Sequence, residues 1–137
     1  ITSFMDRSLT LSQFKKINQK SAEVSLLAKK LNDILFKKKI VDLDAEDLRL
    51  LIGQSLFLEV TIPLALDILK TDPMAEGDFY PGDLLKNTLE VDASYWGLHD
   101  DEKNRLKHIL AEHRQYILDH SLSNAIRLQL KELMEVF

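Results

Sequence analysis

The chain has 137 residues, 45% hydrophobic and 29% charged, with a net charge of −4 and no cysteine. Length and composition together read as one globular domain able to bury about two-thirds of its unfolded surface, and they exclude disorder as the default. The lack of cysteine excludes disulfides, thiol catalysis and Cys-containing zinc sites, and fits a reducing cytosol.

The first 20 residues have no clear period and read as an arm or a short helix. The chain opens at Ile1 without an initiator Met, so a few native residues are expected to precede it. From Ala22 to Lys37 the spacing of Val24, Leu27, Ala28, Leu31, Ile34 and Leu35 predicts a helix with its lysines on the other side. "LDAEDLRLLIGQ" predicts a second helix, capped at Asp44, with Glu46 and Asp47 at the positive end of its dipole and Gly53 as a stop or close-packing point. "SLFLEVTIPLALDILK" is apolar nearly all round, as a central buried helix would be. Phe57, Val60, Thr61 and Ile62 also suit a strand, but the length of the run favours a helix kinked or restarted at Pro63. This run is too short and too charged to span a membrane, carrying Glu59 and Asp67, and no secretory signal is visible.

A loop, "DPMAEGDFYPGDLL" (Asp72–Leu85), leads into a short helix with Pro81 in its first turn. "DASYWGLHD" is a second connector. A long helix follows, with Leu106, Ile109, Leu110, His113 and Ile117 on one face, and a last helix carries Ile126, Leu130, Leu133, Met134 and Phe137. The expected fold is an all-α, compact single-domain bundle of five or six helices spanning residues 1–137.

The charge is unevenly placed. Residues 1–40 carry +6, residues 41–102 carry −12 and residues 103–137 carry +2. The acidic middle repels phosphate backbones and attracts basic partners. The lysines Lys29, Lys30, Lys37, Lys38 and Lys39 lack arginine and interleaved aromatics, so they read as a solvated face rather than a nucleic-acid patch.

No constellation reads as catalytic or as a cofactor site. "GDFYPGDL" has the Gly77-to-Gly82 spacing of a phosphate-binding loop, but Asp83 and Leu84 stand where Lys and Ser/Thr are needed. Asp42, Asp44 and Glu46 begin like a calcium loop whose required glycine and bidentate glutamate are missing. His108 and His113 lie five apart, off one helical face, and Glu112 comes one residue late for a zinc motif. Glu59 and Asp67 could pair as acid and base, and read more simply as structural acids. No metal or other cofactor is expected.

The run "EDLRLLIGQSLFLEVTIPLALDILKTDPMAEGDFYPGDLLKNTLEVDASYW", through its "DLRLLIGQ", "IPLALDIL" and "EGDFYPGDLL" elements and the later Tyr95-Trp96 pair, resembles the immunity proteins of contact-dependent growth inhibition (CDI) systems. The resemblance covers Glu46 to Trp96. It implies a cytoplasmic antidote that binds the cognate C-terminal toxin domain of a CdiA-like protein, often a nuclease, and blocks its active site or substrate access. Direct nucleic-acid binding, membrane association and enzymatic turnover are not implied. Because such proteins meet different toxins, Gly77, Phe79, Tyr80, Pro81 and Gly82 read as scaffold: the glycines for turns, the aromatics packing the loop. The expected toxin contacts are the acids Asp72, Glu76, Asp78, Asp92, Asp100, Asp101 and Glu102, with Tyr95 and Trp96 as anchors. The rival readings are a helical adaptor for another basic protein and, from a different class, a small enzyme using Glu59, Asp67 or the His108–His120 face.

Overall fold

The computed structural model describes residues 5–15 and 26–137. The described residues form eight α-helices, one 3-10 turn and no strand, so the protein is all-α. The helices number more than the expected five or six because Leu11–Phe14, in the stretch read as an arm or a short helix, and Ala93–Gly97, read as a connector, close one turn each. The chain divides into two compact units, Ile1–Asp44 and Ala45–Phe137.

In the first unit α1 (Leu11–Phe14) is held by a capping box. The Thr10 hydroxyl accepts from the Gln13 amide at 3.2 Å, and the Gln13 side chain accepts from the Thr10 amide at 3.0 Å. α1 packs against α2 (Leu26–Phe36), where Ala28 and Ile34 are buried while Leu27 is exposed. The first residues of the expected helix, Ala22 to Ser25, lie outside the described residues. The chain then returns beside its own start. Thr10 and Lys39 form an isolated antiparallel bridge, and the Ile40 amide donates to the Leu9 carbonyl at 2.7 Å before the 3-10 turn Ile40–Asp42.

The second unit contains α3 (Ala45–Gly53), α4 (Leu58–Thr71), α5 (Asp83–Leu89), α6 (Ala93–Gly97), α7 (Asp100–Asp119) and α8 (Asn124–Val136). α4 is the central helix, packed against α3, α5 and α7. It buries Val60, Thr61, Ile62, Leu64, Ala65, Leu66 and Leu69, which accounts for its nearly all-round apolar sequence. Each fully buried Leu or Ile among them contributes on the order of 1.5–3 kcal/mol. The helix does not restart at Pro63 but runs through it from Leu58 to Thr71. The connector ahead of it uses left-handed backbone at Ser55 and Phe57 rather than at a glycine.

Gly53 acts as a close-packing point at the end of α3. A Cβ there would stand 2.8 Å from the Asn87 side-chain nitrogen of α5, which itself donates to the Arg49 carbonyl at 3.0 Å. α7 buries Leu106, Ile109, Leu110, Ile117 and Leu118, and α8 buries Leu130 and Met134. His113, expected on the buried face of α7, is half-buried.

Candidate functional site

The loop between α4 and α5 is organised by one carboxylate. Asp83, the first residue of α5, is only 2% exposed. Its Oδ1 accepts from the Gly77 amide at 2.7 Å, and its Oδ2 accepts from the Phe79 and Tyr80 amides at 3.1 and 3.4 Å. Backbone N–H groups converging on an anion are the essence of a phosphate-binding loop, and the glycine spacing hinted at one. Here the anion is the protein's own side chain, so the cradle is filled from within. Asp83 is the residue whose role the sequence concealed, since an acid opening a helix is satisfied as a dipole partner without any loop curling back onto it.

A second carboxylate extends the clamp. Glu46 of α3 accepts the Asp78 amide at 2.8 Å. It also receives both Nε and Nη2 of Arg49, the latter at 2.8 Å. Arg49 Nε stands 3.8 Å from Asp83 Oδ2, and its guanidinium carbon lies 4.4 Å from the centre of the Phe79 ring. The Glu46 hydrogen bonds, then the charges of Glu46, Asp83 and Asp78, push the Arg49 pKa above its ordinary value against the opposing effect of partial burial. Glu46 and Arg49, three apart on one helical face, were the signal available in the sequence for this pairing.

The two loop glycines have different reasons. Gly82 adopts φ +91°, where a side chain is strained, and its amide donates to the Met74 carbonyl at 3.2 Å. Gly77 makes room: a Cβ there would come within 2.6 Å of Glu46 Oε1 and 3.1 Å of Asp83 Oδ2. Pro81 does not occupy the first turn of a helix. α5 begins two residues later, and Pro81 pairs with Glu76 in an isolated bridge ahead of the left-handed Gly82. Tyr80 is half-buried, whereas Phe79, expected to pack into the loop, is 68% exposed.

The expected contact residues fall on two stretches of the second unit. Asp72 ends α4, and Glu76 and Asp78 lie in the clamped loop; all three are exposed. Asp92, Tyr95 and Trp96 belong to α6 and its cap, while Asp100, Asp101 and Glu102 form the first turn of α7, packed against α6. Asp92 is exposed and caps α6 by accepting from the Ser94 amide at 2.8 Å, a bond that holds its carboxyl below the usual range. Asp100 and Asp101 are exposed and complement the α7 dipole. Tyr95 and Glu102 are brought together, the Tyr95 hydroxyl donating to Glu102 Oε1 at 2.6 Å. Burial, then that hydrogen bond and the charges of Glu102 and Glu59, raise the Tyr95 pKa well above its ordinary value, so the phenol stays neutral. Trp96 is 3% exposed and offers no surface to a partner.

The candidates for chemistry do not assemble. Glu59 and Asp67 are exposed, and Asp67 pairs with Arg105 at 3.0 Å. His108 is exposed and 3.8 Å from Glu112, and His120 stacks on Tyr116 with ring centres 3.9 Å apart. Among the described residues no group of three or more His, Asp or Glu side chains could hold a metal ion, and no helix is long and apolar enough to cross a membrane.

Among known proteins, a family model described as CDI immunity proteins matches residues 12–106. No curated protein and no solved structure gives a match. The match runs beyond the Glu46–Trp96 stretch on both sides, taking in the Glu46–Arg49–Asp83 clamp, all of α4 and the start of α7. With most of its length covered, this all-α chain belongs to the CDI immunity proteins, the family that protects against CDI toxins.

Proposed function

We propose that this protein neutralises one cognate toxin, the C-terminal domain of a CdiA-like protein, by stoichiometric binding in the cytoplasm and without turnover. The toxin in this reading is a basic nuclease, and binding blocks its active site or its access to substrate. The family match carries the proposal. The charge distribution supports the choice of partner: residues 41–102 carry −12, and Asp72, Glu76, Asp78, Asp92, Asp100 and Asp101 present exposed carboxylates. A nuclease must be cationic where it meets a phosphate backbone, so an acidic surface attracts it and competes for the same ground. Glu102 and Tyr95, from the second stretch, are half-buried and joined to one another.

The test is a variant with Asp72, Glu76, Asp100 and Asp101 each changed to lysine, measured against the cognate toxin domain, to be sought at the end of the gene immediately upstream. Reversing long-range attraction is expected to slow association about tenfold or more at low salt and to flatten the dependence of affinity on salt. Circular dichroism of the variant should match the parent. Unchanged association and salt dependence would place the contact surface elsewhere.

A further inference from the structure

We propose that Phe79 is the aromatic anchor of the toxin interface, inserting into an apolar recess of the basic toxin domain. This inference rests on the reading of the chain as a toxin-binding protein and names the residue that holds the complex together. An aromatic that only packs a loop would be covered by it. Phe79 instead stands 68% exposed while the backbone beneath it is pinned. The amides of Gly77, Phe79 and Tyr80 end on Asp83, that of Asp78 on Glu46, and that of Gly82 on the Met74 carbonyl.

One face of the ring lies over the Arg49 guanidinium, which Glu46 holds through two hydrogen bonds. The ring is therefore presented in a fixed orientation, so little ordering remains to be done on binding. Its surroundings select the partner. Exposed Glu76 and Asp78 precede it in the loop, and with Glu46 and Asp83 they outnumber the positive charge of Arg49. That field repels nucleic acid and favours a pocket rimmed by Lys or Arg. A buried aromatic within a charged, solvent-accessible rim is the usual anatomy of an interface hot spot.

The experiment measures association and dissociation of Phe79→Ala against the purified upstream-encoded toxin domain, beside the parent protein. Dissociation is expected to accelerate about 30-fold, the effect of losing a hot-spot residue. Association rate and salt dependence should hold within about threefold, because the acids remain. The melting temperature should stay close to the parent's, which separates an anchor from a structural residue. A dissociation rate like the parent's would overturn the proposal. Should Phe79→Ala disturb the fold, Phe79→p-benzoylphenylalanine gives a second readout: light-induced crosslinking to the toxin supports the anchor, and its absence overturns it. Failure of the parent protein itself to bind would remove the toxin reading and this inference with it, an outcome distinct from failure of the variant alone.

Discussion

Replacing Asp83 with alanine is expected to destabilise the protein by about 3–5 kcal/mol. The loss would leave the amides of Gly77, Phe79 and Tyr80 without their acceptor, and a buried donor left unsatisfied costs roughly 1–3 kcal/mol, less where water can reach it. It would also remove the carboxylate beside Arg49, whose side chain is largely covered. Urea unfolding followed by circular dichroism measures the change directly. Asp83→Asn keeps the size and one acceptor oxygen but turns an NH2 group toward donors, so it should fall between alanine and the parent. A loss below about 1 kcal/mol for Asp83→Ala would mean that the cradle is not what holds the loop, since a single ordinary hydrogen bond already contributes that much.

Trp96→Ala should cost a similar amount, about 3–5 kcal/mol, the range for emptying a buried aromatic site. Trp96 meets Tyr95 and Phe137 edge-to-face, with ring centres 5.3 and 5.1 Å away, so its removal opens a cavity between α6 and the end of α8. Its indole Nε1 is also buried with no hydrogen-bond partner, the one such side-chain atom among the described residues. Trp96→Phe removes that orphan donor while leaving a smaller void. The two effects oppose each other, and the net loss should be under about 2 kcal/mol. Thermal and urea unfolding of both variants check the pair. A Trp96→Ala protein as stable as the parent, or a Phe variant as damaged as the Ala variant, would contradict this account of the site.

The long helices were legible because burial leaves a period. Leu106, Ile109, Leu110 and Ile117 are spaced for one face and all are buried in α7. The nearly continuous apolar run of α4 likewise matched a helix covered on several sides. Short elements left no such trace. α6 has five residues, too few for a period, and the adjacent Tyr95 and Trp96 point about 100° apart on a helix. One of the two had to be more buried, and nothing local said which. The tertiary fold chose Trp96 and left the Tyr95 hydroxyl to find Glu102.

The loop was legible as unusual but not in its logic. Two glycines in a short run announced a demanding backbone, and Gly82 confirms it with φ +91°. The partners that explain the loop, Glu46 and Arg49, lie some 30 residues away in sequence and meet it only through the packing of α3 on α5. Exposure was equally hidden. Phe79 and Tyr80 are neighbours of the same chemical kind, yet one is exposed and the other half-buried, because the Asp83 and Glu46 anchors fix how the loop turns. The acid surplus of residues 41–102 could be counted from the sequence. Which of those acids are engaged inside the fold, as Asp83 and Glu46 are, could not.

Neutralisation of a toxin by binding, as proposed above, is open to direct test in cells. The most direct measurement co-expresses the upstream-encoded C-terminal domain with this protein in otherwise unprotected bacteria, scores survival, and then titrates the purified pair calorimetrically. The account predicts that the domain alone kills, that co-expression restores growth, and that the pair binds 1:1 with affinity that weakens as salt rises. Killing that co-expression does not relieve, with no binding between the purified proteins, would contradict it.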